Sequence, residues 1–169
     1  MADSEKSRRL VICDASPLIF LAKVDQLELI AKVTGCPVVV LSCVVREILS
    51  ERATPVEAHR LRIWLSNVET VEHEDSLFTT DALSKSDQST LAWAVKNRAE
   101  YLLADERLLR RFAQEYGIRS IGFCGILIQA SQKGYLSQGE ARRCIDVAVQ
   151  EHGLRISVQL YQKILDRLG

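Results

Sequence analysis

Four carboxylates stand where this sequence could use one for chemistry: Asp14, Glu47, Asp87 and Asp105. Asp14 follows the apolar run Leu10-Val11-Ile12-Cys13, and Asp105 follows Tyr101-Leu102-Leu103-Ala104 in the same way. Short apolar runs of this kind read as buried strands, so both acids fall at strand carboxyl ends, the edge of an open α/β sheet where ligands bind. Asp14 has the weakest structural reason to be an acid, because Ser16 and Pro17 already make a sufficient start for the next helix. Asp105 has an alternative, since an Asp after a strand is commonly the N-cap of the following helix. Asp87 lies one turn before Leu91 and so points along an apolar stripe, although Ser84 and Asp87 also have near-capping-box spacing. Glu47 falls on the flank of a helix whose inward face is Val44, Val45, Ile48 and Leu49. Together these acids supply the charged oxygen donors that Mg²⁺ and Mn²⁺ take, and so suggest a metal site.

The elements that must position them alternate. Continuous apolar runs rather than alternating ones are what a parallel sheet covered on both faces requires. The pattern predicts strands at 10–13, 37–41, 68–71, 101–104 and 118–121. Helices are predicted at 18–32, 43–51, 57–65, 86–97, 106–116, 122–133, 137–152 and 156–168. Gly117 and Gly134 read as helix stops, and Ser137-Gln138-Gly139-Glu140 as a capping box. The polar stretch Glu72 to Leu83 reads as a rim or lid. Ile145, Val149, Leu160, Ile164 and Leu165 give the last two helices apolar stripes, the signature of a packed hairpin.

Composition narrows the function classes. The 169 residues are 47% hydrophobic, enough for one compact unit with a real core. Lys plus Arg and Asp plus Glu are both 22, which argues against a protein held to nucleic acid by bulk positive charge. Five cysteines without a C-x-x-C pair, lying mostly among apolar neighbours, read as reduced, buried thiols and predict a cytoplasmic protein. The polar start from Met1 to Arg9 predicts neither a signal peptide nor a membrane span. His59, His73 and His152 lack metal-ligand spacing. Cys13 and Cys43 abut the acids without a base pattern, and no phosphate-binding glycine loop is present. Ser16 stands where a haloacid-dehalogenase site needs its second Asp.

With these residues in place, the sequence resembles the PIN-domain family of metal-dependent nucleases. The likeness runs from Val11-Ile12-Cys13-Asp14-Ala15-Ser16-Pro17-Leu18-Ile19 through Val38-Val39-Val40 and Val44-Val45-Arg46-Glu47-Ile48-Leu49. It continues through Leu83 to Ala94 and Leu102-Leu103-Ala104-Asp105-Glu106-Arg107. Gly125-Ile126-Leu127, Lys133-Gly134-Tyr135-Leu136 and the closing segment from Ile156 are similar to a prokaryotic branch related to the toxin nucleases of toxin–antitoxin modules. In that branch Asp87 more often is Glu, and Glu106 more often is a second Asp. The resemblance implies a three-layer α/β/α fold with a central parallel sheet. It implies a single PIN-like domain over 1–169, with an α/β core at 8–136 and a C-terminal helical hairpin at 137–169. It further implies hydrolysis of RNA, with Asp14, Asp87 and Asp105 holding Mg²⁺ or Mn²⁺ and Glu47 adding charge. Ser16 and Glu106 would support them. Arg46, Lys85, Arg107, Arg110 and Arg111 would hold the RNA backbone, since such contacts position a strand without reading its sequence. A small antitoxin partner and a homodimer also follow from the likeness, and the alternative is a PIN-like module that binds RNA or protein without cutting.

Overall fold

The computed structural model describes residues 9–77 and 79–169. Residues 1–8, which hold most of the polar start and the first residue of the expected core, and Phe78 in the predicted rim lie outside the described residues. Five parallel strands form the sheet: β1 (Val11–Cys13), β2 (Val38–Leu41), β3 (Glu69–Val71), β4 (Tyr101–Leu103) and β5 (Arg119–Ile121). Their order is β3-β2-β1-β4-β5. β1 and β2 are buried along their whole length, as the continuous apolar runs require, while the edge strand β3 is mostly exposed. The register pairs Cys13 with both Val40 and Leu103, so Asp14 emerges one residue beyond the centre of the sheet.

Helices cover the sheet: α1 (Ala15–Lys23), α2 (Leu29–Thr34), α3 (Ser42–Ile48), α4 (Pro55–Leu65), α5 (Lys85–Lys96), α6 (Arg107–Glu115), α7 (Phe123–Gln132), α8 (Gln138–His152) and α9 (Val158–Leu168). This is the expected α/β fold, and one core runs through it from Leu10 to Leu168. α8 and α9 pack on each other and on α7, as their apolar stripes predicted. The Ser137–Glu140 capping box forms in full, with bonds of 2.7 and 3.1 Å.

Two predictions fail at the first helix. The segment 18–32 is two helices rather than one, because Asp25 takes a left-handed φ of 57° and the chain turns there. Asp tolerates that conformation better than most residues. The helix also starts earlier than Ser16-Pro17 suggested: Ala15 is its first residue, Asp14 holds the N-cap position, and Pro17 sits within the first turn, where its missing amide costs nothing. α4 also starts earlier than predicted, at Pro55, with Thr54 before it and Glu57 after it forming a capping box. Glu57 is nearly buried there and pairs with Lys23 of α1 at 2.7 Å.

Candidate functional site

The strand order fixes where a ligand can bind. From β1 the chain moves outward to β2 and β3, then returns to β4 on the other side of β1, so the crossovers diverge at the carboxyl ends of β1 and β4. That divergence opens a crevice. The Asp14 amide donates to the Leu103 carbonyl at 2.9 Å, tying the end of β1 to the end of β4 two residues before Asp105.

Asp14 is 4% exposed, makes no side-chain cap bond at the start of α1, and leaves Oδ1 without a hydrogen-bond partner. Burial pushes its carboxyl up to about 8, with the Asp87 carboxyl and the Glu47 charge adding to the rise and the Ala15 amide opposing it. Asp14 and Asp87 interact through their side chains, and two carboxyls bond only when one keeps its proton. Asp87 is free to face Asp14 because its own helix needs only its backbone. Ser84 Oγ accepts from the Asp87 amide at 3.1 Å, and the returning half of a capping box is not made.

Glu47 reaches this pair from α3. It is exposed, and its Oε2 accepts from Ser86 Oγ at 3.0 Å, which links α3 to α5 beside the acids. Sequence reading missed Ser86, whose one signal was its place beside Asp87 in a first helical turn. It missed Thr90 as well: buried one turn after Asp87, its Oγ1 has no hydrogen-bond partner.

Asp105 is placed differently. The N-cap of α6 is Glu106, whose carboxylate accepts from the Leu109 amide at 2.6 Å, so Asp105 is released from capping and Glu106 is a helix cap rather than a support for the acids. Asp105 Oδ1 instead accepts from the Phe123 amide at 2.9 Å and caps α7 from across the crevice, while its Oδ2 is buried without a partner. Burial raises its carboxyl, and the Phe123 amide and the Arg110 charge pull it back. Among the described residues no three His, Cys, Asp or Glu side chains converge into a metal cage; of the expected trio, Asp14 and Asp87 interact with each other while Asp105 turns to Phe123. The physical reason is the α7 N-terminus, whose amides offer Asp105 a positive partner.

The donor set nevertheless fits a hard divalent cation. Every candidate donor is a carboxylate oxygen, two of those oxygens are buried and unpartnered, and the charges acting on Asp14 from Asp87 and Glu47 are negative. Ser16 is half-buried and makes no hydrogen bond to the acids among the described residues, so its expected support for Asp14 is not seen. Arg46 and Lys85 are exposed and line a cavity of about 800 Å³ walled by Thr79, Thr80 and Asp81 of the predicted rim. Arg107, Arg110 and Arg111 line a separate one of about 610 Å³.

Gly122 is the N-cap of α7, and a Cβ there would lie 2.4 Å from Asp105 Oδ1 and 3.4 Å from the Ala104 carbonyl oxygen. Gly122→Ala therefore expels the Asp105 carboxylate from its bond to Phe123, and the expected result is a stability loss of about 1–3 kcal/mol in chemical denaturation. An unchanged midpoint would show that Asp105 is not fixed there.

A family model described as PIN domain matches residues 10–169 of the chain. No curated protein matches it. Among solved structures, the chain is similar to a PilT N-terminus domain protein from the hyperthermophilic archaeon Sulfolobus solfataricus P2. That likeness has 13% identity and a TM-score of 0.48, and covers 87% of this chain and 99% of that one.

Proposed function

The chain belongs to the PIN-domain family, whose members are generally nucleases, and on that premise we propose that it is an endoribonuclease dependent on Mg²⁺ or Mn²⁺. The observation that carries the reading is Asp14, a buried acid with an unpartnered oxygen, pressed against Asp87 and the charge of Glu47 at the sheet's crevice. An uncompensated cluster of this kind costs the fold stability and is retained where a cation is to be bound.

Asp14 and Asp87 would hold the cation, Glu47 would add charge or bind through water, and Asp105 would complete the set from β4. A divalent cation held by these residues would supply an acidified water and offset charge on the phosphodiester. Burial of Asp14 keeps bulk water from its inner oxygen, which strengthens its hold on a positive charge. The Ser86 bond ties the exposed Glu47 to α5 beside Asp87. The resemblance to the toxin-nuclease branch supports a toxin-like role restrained by a small protein partner.

A second reading, a module that binds without cutting, draws on one observation: Asp105 is already engaged by the Phe123 amide. The two separate on a mixed pool of structured and unstructured RNA incubated with Mn²⁺, Mg²⁺ or chelator. Metal-dependent cutting that disappears in Asp87→Asn supports the nuclease. RNA retention by a folded protein that does not cut under any of these conditions supports the module.

A further inference from the structure

Beyond the acids, the carboxyl edge of the sheet continues into a second feature. The cavity that Arg107, Arg110 and Arg111 line shares Arg110 and Ser120 with a neighbouring cleft of about 440 Å³. That cleft has Asp105 in its wall and reaches the C-terminal hairpin, where Arg155, Lys163 and Arg167 line it. Arg110 sits at the junction, its Nε donating to Ser120 Oγ at 3.3 Å. We propose that this continuous cleft is the path along which a single RNA strand leaves the acidic crevice, its phosphates held by Arg110, Arg155, Lys163 and Arg167.

Charge makes the first argument. The chain is neutral overall, so cations gathered in one cleft are a local choice rather than a consequence of composition. Arg155, Lys163 and Arg167 are exposed and make no ion pair among the described residues, so their charges are open to an anionic ligand. Arg111 pairs with Glu115 at 3.7 Å, but both groups are well exposed and such a pair is worth little.

Geometry makes the second. Lys163 and Arg167 are four residues apart on α9, so they project one above the other about 6 Å apart, a ladder for successive anionic groups. The floor between the cations is apolar, with Ile128, Leu154 and Ile156, and holds no aromatic ring. A strand there would be gripped by its phosphates rather than by base stacking, and so bound without regard to sequence. Placement decides between an RNA strand and an acidic protein segment: Asp105, the acid that the proposed cleavage draws from beyond the end of β4, stands in the wall of this cleft, so a phosphodiester chain held there passes one of the site's carboxylates. The inference rests on that reading of the crevice.

The test uses the whole chain, with chelator present so that nothing is cut, and a short mixed-sequence single-stranded RNA carrying fluorescein. Anisotropy is followed as salt is raised for the wild type, for a triple variant (Arg155→Gln, Lys163→Gln, Arg167→Gln), and for a control triple (Lys32→Gln, Arg62→Gln, Lys96→Gln) that removes equal charge outside both clefts. All six residues are exposed, so the folds should survive. The expected result is that the cleft triple lowers the slope of log affinity against log salt by about 2, as loss of three single-strand phosphate contacts requires. The control triple should leave the slope at the wild-type value.

Equal slopes in all three proteins would overturn the cleft, even if wild type cuts RNA with Mn²⁺. A cleft-dependent slope in a protein that never cuts would leave the cleft standing and remove the nuclease. Binding of labelled polyglutamate that depends on the cleft, with RNA binding that does not, would assign the surface to an acidic protein segment and overturn the proposal.

Discussion

In chelator near neutral pH, Asp14→Asn should melt roughly 5 °C above the wild-type protein, and with Mn²⁺ restored it should cut RNA on the order of 10³ times more slowly. Both effects come from the same atoms. Asp14 is buried against Asp87 with Oδ1 unpartnered, so without a cation the site must either keep a proton or hold two charges at close range. An amide is nearly isosteric, carries no charge and can donate to Asp87, which removes a penalty on the order of 2 kcal/mol. The same amide has lost the negative oxygen that a divalent cation needs. Thermal melting in chelator and initial cleavage rates in Mn²⁺ read the two halves separately. A variant that melts below wild type would mean that Asp14 is a structural acid with a partner of its own. One that cuts at the wild-type rate would remove it from the proposed centre.

How far this site could be read from residue order depends on which interactions are local. The strands were legible because a sheet buried on both faces demands unbroken apolar runs, and Val38–Leu41 and Tyr101–Leu103 supply them. Asp14, Asp87 and Glu47 were legible for a related reason, since each was an acid with a weak or incomplete local job. Asp105 was legible as a strand-end acid but its orientation was not, because what orients it is the Phe123 amide, 18 residues further along, and the bare Gly122 that makes room for it. Glu106 misled for the opposite reason. Adjacent to Asp105, it resembled a site residue, yet the first turn of α6 needed a cap and Glu106 was one residue closer to it. The break at Asp25 was hidden because nothing in an apolar-periodic run announces a left-handed residue that is not glycine. The Ser86–Glu47 bond and the basic cleft share a cause: each joins elements far apart in sequence, α3 with α5 and α6 with α9.

The metal-free protein should lose stability as pH rises from about 5 to about 8, and Mn²⁺ should reverse the sign of that slope. Asp14 has its carboxyl raised to about 8 in the fold, whereas in the unfolded chain it titrates near the ordinary value of about 4. Between these values the folded state binds more protons than the unfolded one, so stability falls as pH rises, by at most about 1.4 kcal/mol per pH unit, and levels off above 8. Three other acids act at the acid end of the range, Glu140 among them, lowered by its bond from the Ser137 amide. Glu57, despite its burial, is lowered by its bond to Lys23, and Glu100 is lowered by Arg9; each adds stability that is lost only as pH falls through its depressed value. They leave the window from 5 to 8 to the crevice. Chemical denaturation across that window, for wild type beside Asp14→Asn, isolates the contribution, because every other titrating group is common to both. The slope should shrink in the variant to the remainder that Asp105, also raised by burial, contributes. With Mn²⁺ present the cation competes with the proton for the Asp14 and Asp87 oxygens, so binding strengthens as pH rises and adds stability only to the folded state. A wild-type slope that Mn²⁺ leaves unchanged would mean that the buried acids do not take a divalent cation, and the proposed chemistry would lose its ground.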